Sequence, residues 1–192
     1  DQPNGGKGGA VRQGVLRASE EGVVYFVDAD LPFGLEDQRR VVEGVSAGTP
    51  AVFGQKMRGA DDPRLRPLLR EVASRGLRVL NRWLLGIDLE DSQCGLKAFR
   101  ADLAKEIFAQ NEIDGWGFDL FVASLLARHR IPIGVVPVAL QSERRPTRVK
   151  VFSASFGFLR DIFRVRNSVK RAALQKSYVT KAAVGATRSR SL

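Results

Sequence analysis

Two carboxylates one residue apart, Asp28 and Asp30, follow directly on the apolar run Val23-Val-Tyr-Phe-Val27. That run has the length and β-branched, aromatic composition of a buried strand, and in open α/β sheets ligands collect at the carboxyl ends of strands. Two acids there most naturally hold a divalent cation against an anionic substrate. The competing reading is that Asp28 and Asp30 only cap a helix starting near Glu36. Upstream, Asn4-Gly-Gly-Lys-Gly8 leads into an apolar-periodic segment. Such a loop leaves backbone N–H groups at the positive end of a helix dipole, and Lys7 adds a full charge, a combination that suits phosphate.

The elements that must position these residues alternate. A helix is expected over Gly8 to Glu21, with Ala10, Val11, Gly14, Val15 and Ala18 on one face. The strand ending at Val27 follows, then a helix from Glu36 to Ala47 and a second apolar strand from Pro50 to Gly54. This order predicts a parallel sheet with crossover helices. Leucines at helical spacing from Pro63 to Leu85, with Trp83 among them, predict a core-facing helix. Gly86 to Arg100 reads as a polar loop carrying acids, and helices over Ala101 to Phe108 and Phe118 to Arg130 precede a closing strand, Ile133 to Leu140. From Lys150 to Arg171, Phe152, Phe156, Leu159, Ile162 and Phe163 share a helical face among basic residues, either for a membrane interface or for packing on the core. Beyond Gln175 the chain is small, polar and basic, and disorder is expected.

At 192 residues and 44% apolar content, one domain with a real core is the expectation. The chain opens in a loop, which suggests a fragment with sequence lost upstream. There is no apolar run of transmembrane length and no signal-peptide pattern. A lone Cys94 excludes an internal disulfide framework and a cysteine zinc cage, and a reducing, cytoplasmic setting fits. The net charge of +10 is unevenly placed: residues 1–140 hold 18 Lys and Arg against 19 Asp and Glu, and residues 141–192 hold 13 against 2. Some polyanion is therefore a plausible partner of the C-terminal quarter.

Three chemistries use a strand ending in Asp-x-Asp. A phosphatase of the haloacid dehalogenase type would make Asp28 the nucleophile and Asp30 the general acid, with Asp61 and Asp62 as metal ligands, but it wants Thr or Val where Leu31 stands. A P-loop NTPase would use the glycine loop, but Lys7 is followed by Gly8 and not by Ser or Thr. The third possibility fits more residues. Asn4, Gly6, Lys7, Gly8 and Ala10, then Asp28-Ala-Asp-Leu31, then Asp91, Cys94, Gly95, Lys97 and Phe99, then Trp116, Phe118 and Asp119 closely resemble the family 2 glycosyltransferases that move a sugar from a nucleotide to a polyprenyl phosphate. The dolichyl-phosphate glucosyltransferases and mannosyltransferases are among them. The resemblance runs from Asn4 to Arg166 with order and spacing kept.

That resemblance implies an α/β, GT-A type nucleotide-binding sandwich with a mostly parallel sheet, N-terminally truncated. The family's first strands, which grip base and ribose, are not in this sequence, so these 192 residues are expected to bind nucleotide poorly. Residues 1–149 would form the catalytic core, 150–171 a basic amphipathic helix and 172–192 a disordered tail. Donor contacts would fall to Asn4, Gly6, Lys7, Gly8 and Asp28, and Mg2+ or Mn2+ to Asp28 and Asp30. Asp91 is the candidate catalytic carboxylate, the alternative being that it caps a turn. The acceptor phosphate needs cations, for which Lys56, Arg58, Arg144 and Arg148 are candidates, with Trp116 lining the entrance. Lys56 and Arg58 stand where the family usually has Ser-Arg, Thr147-Arg148 where it has Ser-Lys, and Phe121 where it commonly has Glu. The reaction implied is inverting hexose transfer from UDP-glucose or GDP-mannose to a polyprenyl or dolichyl phosphate, by a cytoplasmic enzyme peripheral at an anionic membrane surface. A nucleic-acid-binding module leaves the three acids unexplained, and no nucleic-acid partner is expected. His129, between two arginines, reads as a surface residue.

Overall fold

The structure is a computed structural model, and it describes residues 5–57, 76, 79, 82–89, 91–140 and 154–174, with side chains in the last segment from Ile162. Nine elements are named in it: α1 (Gly6–Arg17), β1 (Val23–Val27), α2 (Leu35–Ser46), β2 (Ala51–Lys56), β3 (Leu96–Arg100), α3 (Ala101–Ala109), α4 (Phe118–Arg128), β4 (Ile133–Val138) and α5 (Ala154–Arg171). The sheet order is β1-β3-β2-β4, with β3 antiparallel to both neighbours and β2 parallel to β4.

The expectation of a mostly parallel sheet is therefore corrected to a mixed sheet. β1, β2 and β4 do point the same way, as the alternation of elements required, but β3 is inserted between β1 and β2 in the opposite direction. Leu96-Lys-Ala-Phe-Arg100, expected to be the end of a polar loop, is a strand, and its Lys97 and Arg100 interrupt the apolar pattern that would mark one. Both faces of the central strand are covered, and its first four residues are buried.

Alternation on β3 divides the core. Leu96 and Ala98 face α2 with Val41, Val45, Val52 and Val138. Phe99 faces the other way, among Phe53, Leu103, Ile107, Phe108, Phe118 and Leu125. Phe26 stacks on Phe99 with ring planes 20° apart, and the other contacts among Phe26, Phe99, Phe108 and Phe118 are edge to face or tilted, all with centroids 6.0–6.4 Å apart, within the range over which aromatic rings attract. The sheet is thus sandwiched between α2 and the helices α1, α3, α4 and α5.

α5 belongs to that sandwich. Ile162, Val165 and Val169 are buried in the main core together with Ala172 and Leu174, each Val or Ile contributing about 1.5–3 kcal/mol by burial. Ile162 and Phe163 do not share a face as expected, since Phe163 is exposed. Phe152, Phe156 and Leu159 lie outside the described side chains. Trp83 also departs from the core reading and is 82% exposed, while Leu85 is buried. The Leu85 carbonyl accepts the Ser124 hydroxyl at 2.8 Å, so that side of the helical turn addresses α4 and Trp83, about 200° away, faces outward.

His129 follows α4 half-buried, and its Nε2 accepts the Leu174 N–H at 3.4 Å. Burial, then Arg128, lower its pKa, against a smaller opposing effect of Glu106. The folded protein therefore prefers the neutral ring, and below the ordinary histidine value the unfolded chain takes up the extra proton. Stability should be full above that value and decline as pH falls towards the lowered one. Urea unfolding at pH 7.5 and 5.5 should show a smaller loss in His129→Gln than in the native sequence.

Candidate active site

The site forms where the carboxyl ends of β1 and β2 meet the entry to β3. Register places Val27 opposite Leu96, so the residues just after β1 lie against those just before β3. The Asp28 N–H donates to the Gly95 carbonyl at 3.0 Å, and the Leu31 N–H returns to the Asp28 carbonyl at 2.9 Å, closing a turn that contains Asp30. Leu31 adopts φ 47°, a left-handed conformation that side chains other than glycine rarely take. Asp28 is half-buried and Asp30 exposed. Neither caps α2, whose N-cap is Gly34 with no side-chain bond, so the capping reading fails.

Lys7 Nζ sits 2.7 Å from Asp28 Oδ1 and 4.7 Å above the Trp116 ring. Trp116 is 67% exposed beside it. The other loop positions have a different job. The N–H groups of Gly8 and Gly9 donate to the Asp114 carbonyl at 2.7 and 3.2 Å, so Gly8 N–H is spent within the protein. Gly6 has φ 72°, and a Cβ at Gly6 or Gly8 would run into the backbone of residues 113 and 114. The two glycines seat α1 against the loop ahead of α4 and so present Lys7. Asn4 lies outside the described residues.

Asp91 lies on the β2 side of the β3 entry, its Oδ2 3.9 Å from Lys56 Nζ at the end of β2. It belongs to the turn Asp91-Ser-Gln that leads to Cys94. Burial pushes the Cys94 thiol up, with smaller effects from Asp91, Lys97 and Lys56. Arg58, Arg144 and Arg148 lie outside the described residues, as do Lys150 and Asp61-Asp62. Between α1 and β1 a groove of about 850 Å³ opens beside Lys7, Asp28, Asp30 and Trp116, with Val15 and Phe26 on its apolar wall.

Beneath the site lies a feature with no assigned role in the sequence reading. Lys97 is fully buried, with Nζ 2.6 Å from both the Cys94 carbonyl and Asp119 Oδ1. Rings of Phe53 and Phe26 lie 5.0 and 5.9 Å from its ammonium. Burial raises the Asp119 carboxyl, with Lys97 opposing. A fully buried lysine is rarely chosen without a partner, and the Lys97 and Asp119 side chains were visible in the sequence only as motif positions.

Among the described residues no three His, Cys, Asp or Glu side chains converge into a metal cage. Two carboxylates at one turn, with an ammonium already drawn to one of them, fit a cation such as Mg2+, which usually takes one or two protein carboxylates and completes its shell with substrate phosphates and water.

The chain is similar in sequence to glycosyltransferases. Its relatives are of the dolichyl-phosphate beta-glucosyltransferase type. The dolichyl-phosphate beta-glucosyltransferase of Dictyostelium discoideum is 31% identical over 169 residues, which is 85% of this chain and 51% of that protein. The Saccharomyces cerevisiae protein of the same name is 30% identical over 150 residues, 71% of this chain and 44% of its own. Glycosyltransferase AglD of Haloferax volcanii is 35% identical over 118 residues, 59% of this chain and 18% of its own length. No protein-family model matches. The chain spans about half the length of the dolichyl-phosphate relatives it matches.

Proposed function

We propose that this chain is the reaction-centre part of a glycosyltransferase of GT-A type that moves a hexose from a nucleotide sugar to dolichyl or another polyprenyl phosphate, with inversion at the anomeric carbon. The observation that carries this reading is the Asp28–Asp30 turn, seated against Gly95 and Lys7 at the mouth of the groove, in a chain whose relatives bear that enzyme's name. Those names favour glucose, and hence UDP-glucose over GDP-mannose, as donor. The relatives are about twice as long as the matched region, and on this reading the base-gripping strands belong to sequence beyond these residues.

Asp28 and Asp30 would hold Mg2+ or Mn2+, which when bound neutralises charge developing on the nucleoside diphosphate leaving group. Lys7 faces the same phosphates from the α1 side. Asp91 accepts a hydrogen bond from the sugar or acts as a weak base, since a phosphate acceptor is already an anion. Lys56 beside it provides a cation for that acceptor, with Arg58, Arg144 and Arg148 completing the set and Trp116 at the entrance. Among the described residues no helix is long and apolar enough to cross a membrane. Attraction of the basic C-terminal quarter to anionic lipid supports docking at a membrane surface.

The test uses the chain extended upstream by the base-gripping strands and supplies radiolabelled UDP-glucose or GDP-mannose, with Mg2+ or Mn2+, beside a polyprenyl phosphate in anionic vesicles. Label should move into the organic phase, more from UDP-glucose. Retention of all label in the aqueous phase with both donors would refute the reading.

A further inference from the structure

The polar contacts around the site close on themselves. Asp28 N–H bonds the Gly95 carbonyl at 3.0 Å; the adjacent Cys94 carbonyl and Asp119 both bond Lys97 at 2.6 Å. Asp119 lies in the first turn of α4, and the loop just before α4 offers the Asp114 carbonyl that holds Gly8 N–H at 2.7 Å. Lys7, next in the chain to Gly8, then returns to Asp28 at 2.7 Å. Four segments that are remote in sequence, near residues 7, 28, 94 and 114–119, thus share one junction, buried at Lys97 and Asp119.

We propose that Lys97 and Asp119 form a positioning pair, which fixes the Cys94–Gly95 turn and the start of α4 and through them sets Asp28 and Lys7 at the mouth of the groove. The proposal deepens the sugar-transfer reading and rests on it for the reaction concerned, but the positioning itself is independent of any substrate. A buried ion pair brings little net stability, because desolvating both charges consumes most of their attraction, and an apolar pair of similar volume would suit the surrounding Phe26 and Phe53 at least as well. What only the charged pair supplies is an ammonium that bonds a backbone carbonyl of one segment and a carboxylate of another at once. Lys97 itself touches no substrate, being fully buried.

The test compares the native chain with Lys97→Met/Asp119→Leu and, in case that double variant fails to fold, with Asp119→Asn, which keeps an oxygen for the ammonium but not its charge. Amide hydrogen exchange is read without substrate. The expected result is exchange about tenfold faster at Asp28, Gly8 and Gly9, with no change in α2 around Val41 and Val45 on the other face of the sheet, the local opening of one cooperative unit. In the transfer assay kcat should fall by about 10² at nearly constant donor KM, as for a misplaced group. Asp119→Asn should lie between native and double variant in both readouts. Unchanged exchange at Asp28, a uniform rise that includes α2, or native kcat in a folded variant would overturn the proposal. If the native chain transfers no sugar, the functional reading fails while the exchange pattern still decides the positioning.

Discussion

Gly95→Ala should lose about 10² or more of the transfer rate, the scale expected when a reacting group is displaced by an ångström, while the chain stays folded. A Cβ at Gly95 would overlap the Asp28 carboxylate, with all three terminal atoms of that side chain in the way. The backbone on either side is held by the Asp28 N–H bond to the Gly95 carbonyl, so the half-buried Asp28 side chain must swing away, and it gives up its Lys7 contact in doing so. Stability should change little, since Leu96 and Ala98 keep their packing against α2. Circular dichroism melting beside single-turnover kinetics checks both halves, and native kinetics in Gly95→Ala would mean that the position of Asp28 is irrelevant to the reaction. The same substitution at Gly54 meets Cys94 Sγ at 3.1 Å and Val138 at 3.2 Å, contacts that packing can partly absorb, and should act on stability instead.

Asp91→Asn should lower kcat by about 10²–10⁴, the range for removing a general base or acid, and leave donor binding nearly unchanged. The substitution keeps the shape and a hydrogen-bond acceptor while removing the charge that faces Lys56 at 3.9 Å. Lys56, relieved of that neighbour, should hold the anionic acceptor slightly better, so the acceptor KM should not rise. Steady-state kinetics with each substrate varied in turn separates these effects. An unchanged kcat would return Asp91 to the role of a turn residue and leave the reaction without a facing carboxylate.

Strand β1 and its two acids were legible from the sequence because an unbroken apolar run followed by Asp-x-Asp has few other uses. Helices α2, α3 and α4 were legible from their periodicity to within one or two residues. β3 was not. Its inward position 97 is a lysine, and a charge in the middle of a short run imitates a loop unless its partner, 22 residues away, is known. With β3 hidden, the antiparallel insertion and hence the mixed sheet were hidden too. The glycine-rich loop was read as a phosphate cradle from its composition, whereas Gly6 and Gly8 are small because the backbone at 113 and 114 presses on them. Composition could not distinguish close approach of a ligand from close approach of the chain itself. Trp83 failed for a related reason: a leucine-rich stripe is wide enough to include a residue on its far side. The juxtaposition of Lys7 with Asp28, and of Lys56 with Asp91, depends on four chain segments meeting in pairs, which no local pattern encodes.

The measurement that bears most directly on the account is the metal dependence of sugar transfer in the native protein and in Asp30→Asn, assayed with UDP-glucose and polyprenyl phosphate across a Mg2+ titration. The account predicts transfer that rises with Mg2+, vanishes with chelator and is lost in Asp30→Asn at every metal concentration, because one carboxylate at the β1 turn cannot replace the pair. Transfer that is indifferent to metal and to Asp30 would contradict it, as would no transfer but release of inorganic phosphate from small phosphoesters, which would make Asp28 a nucleophile.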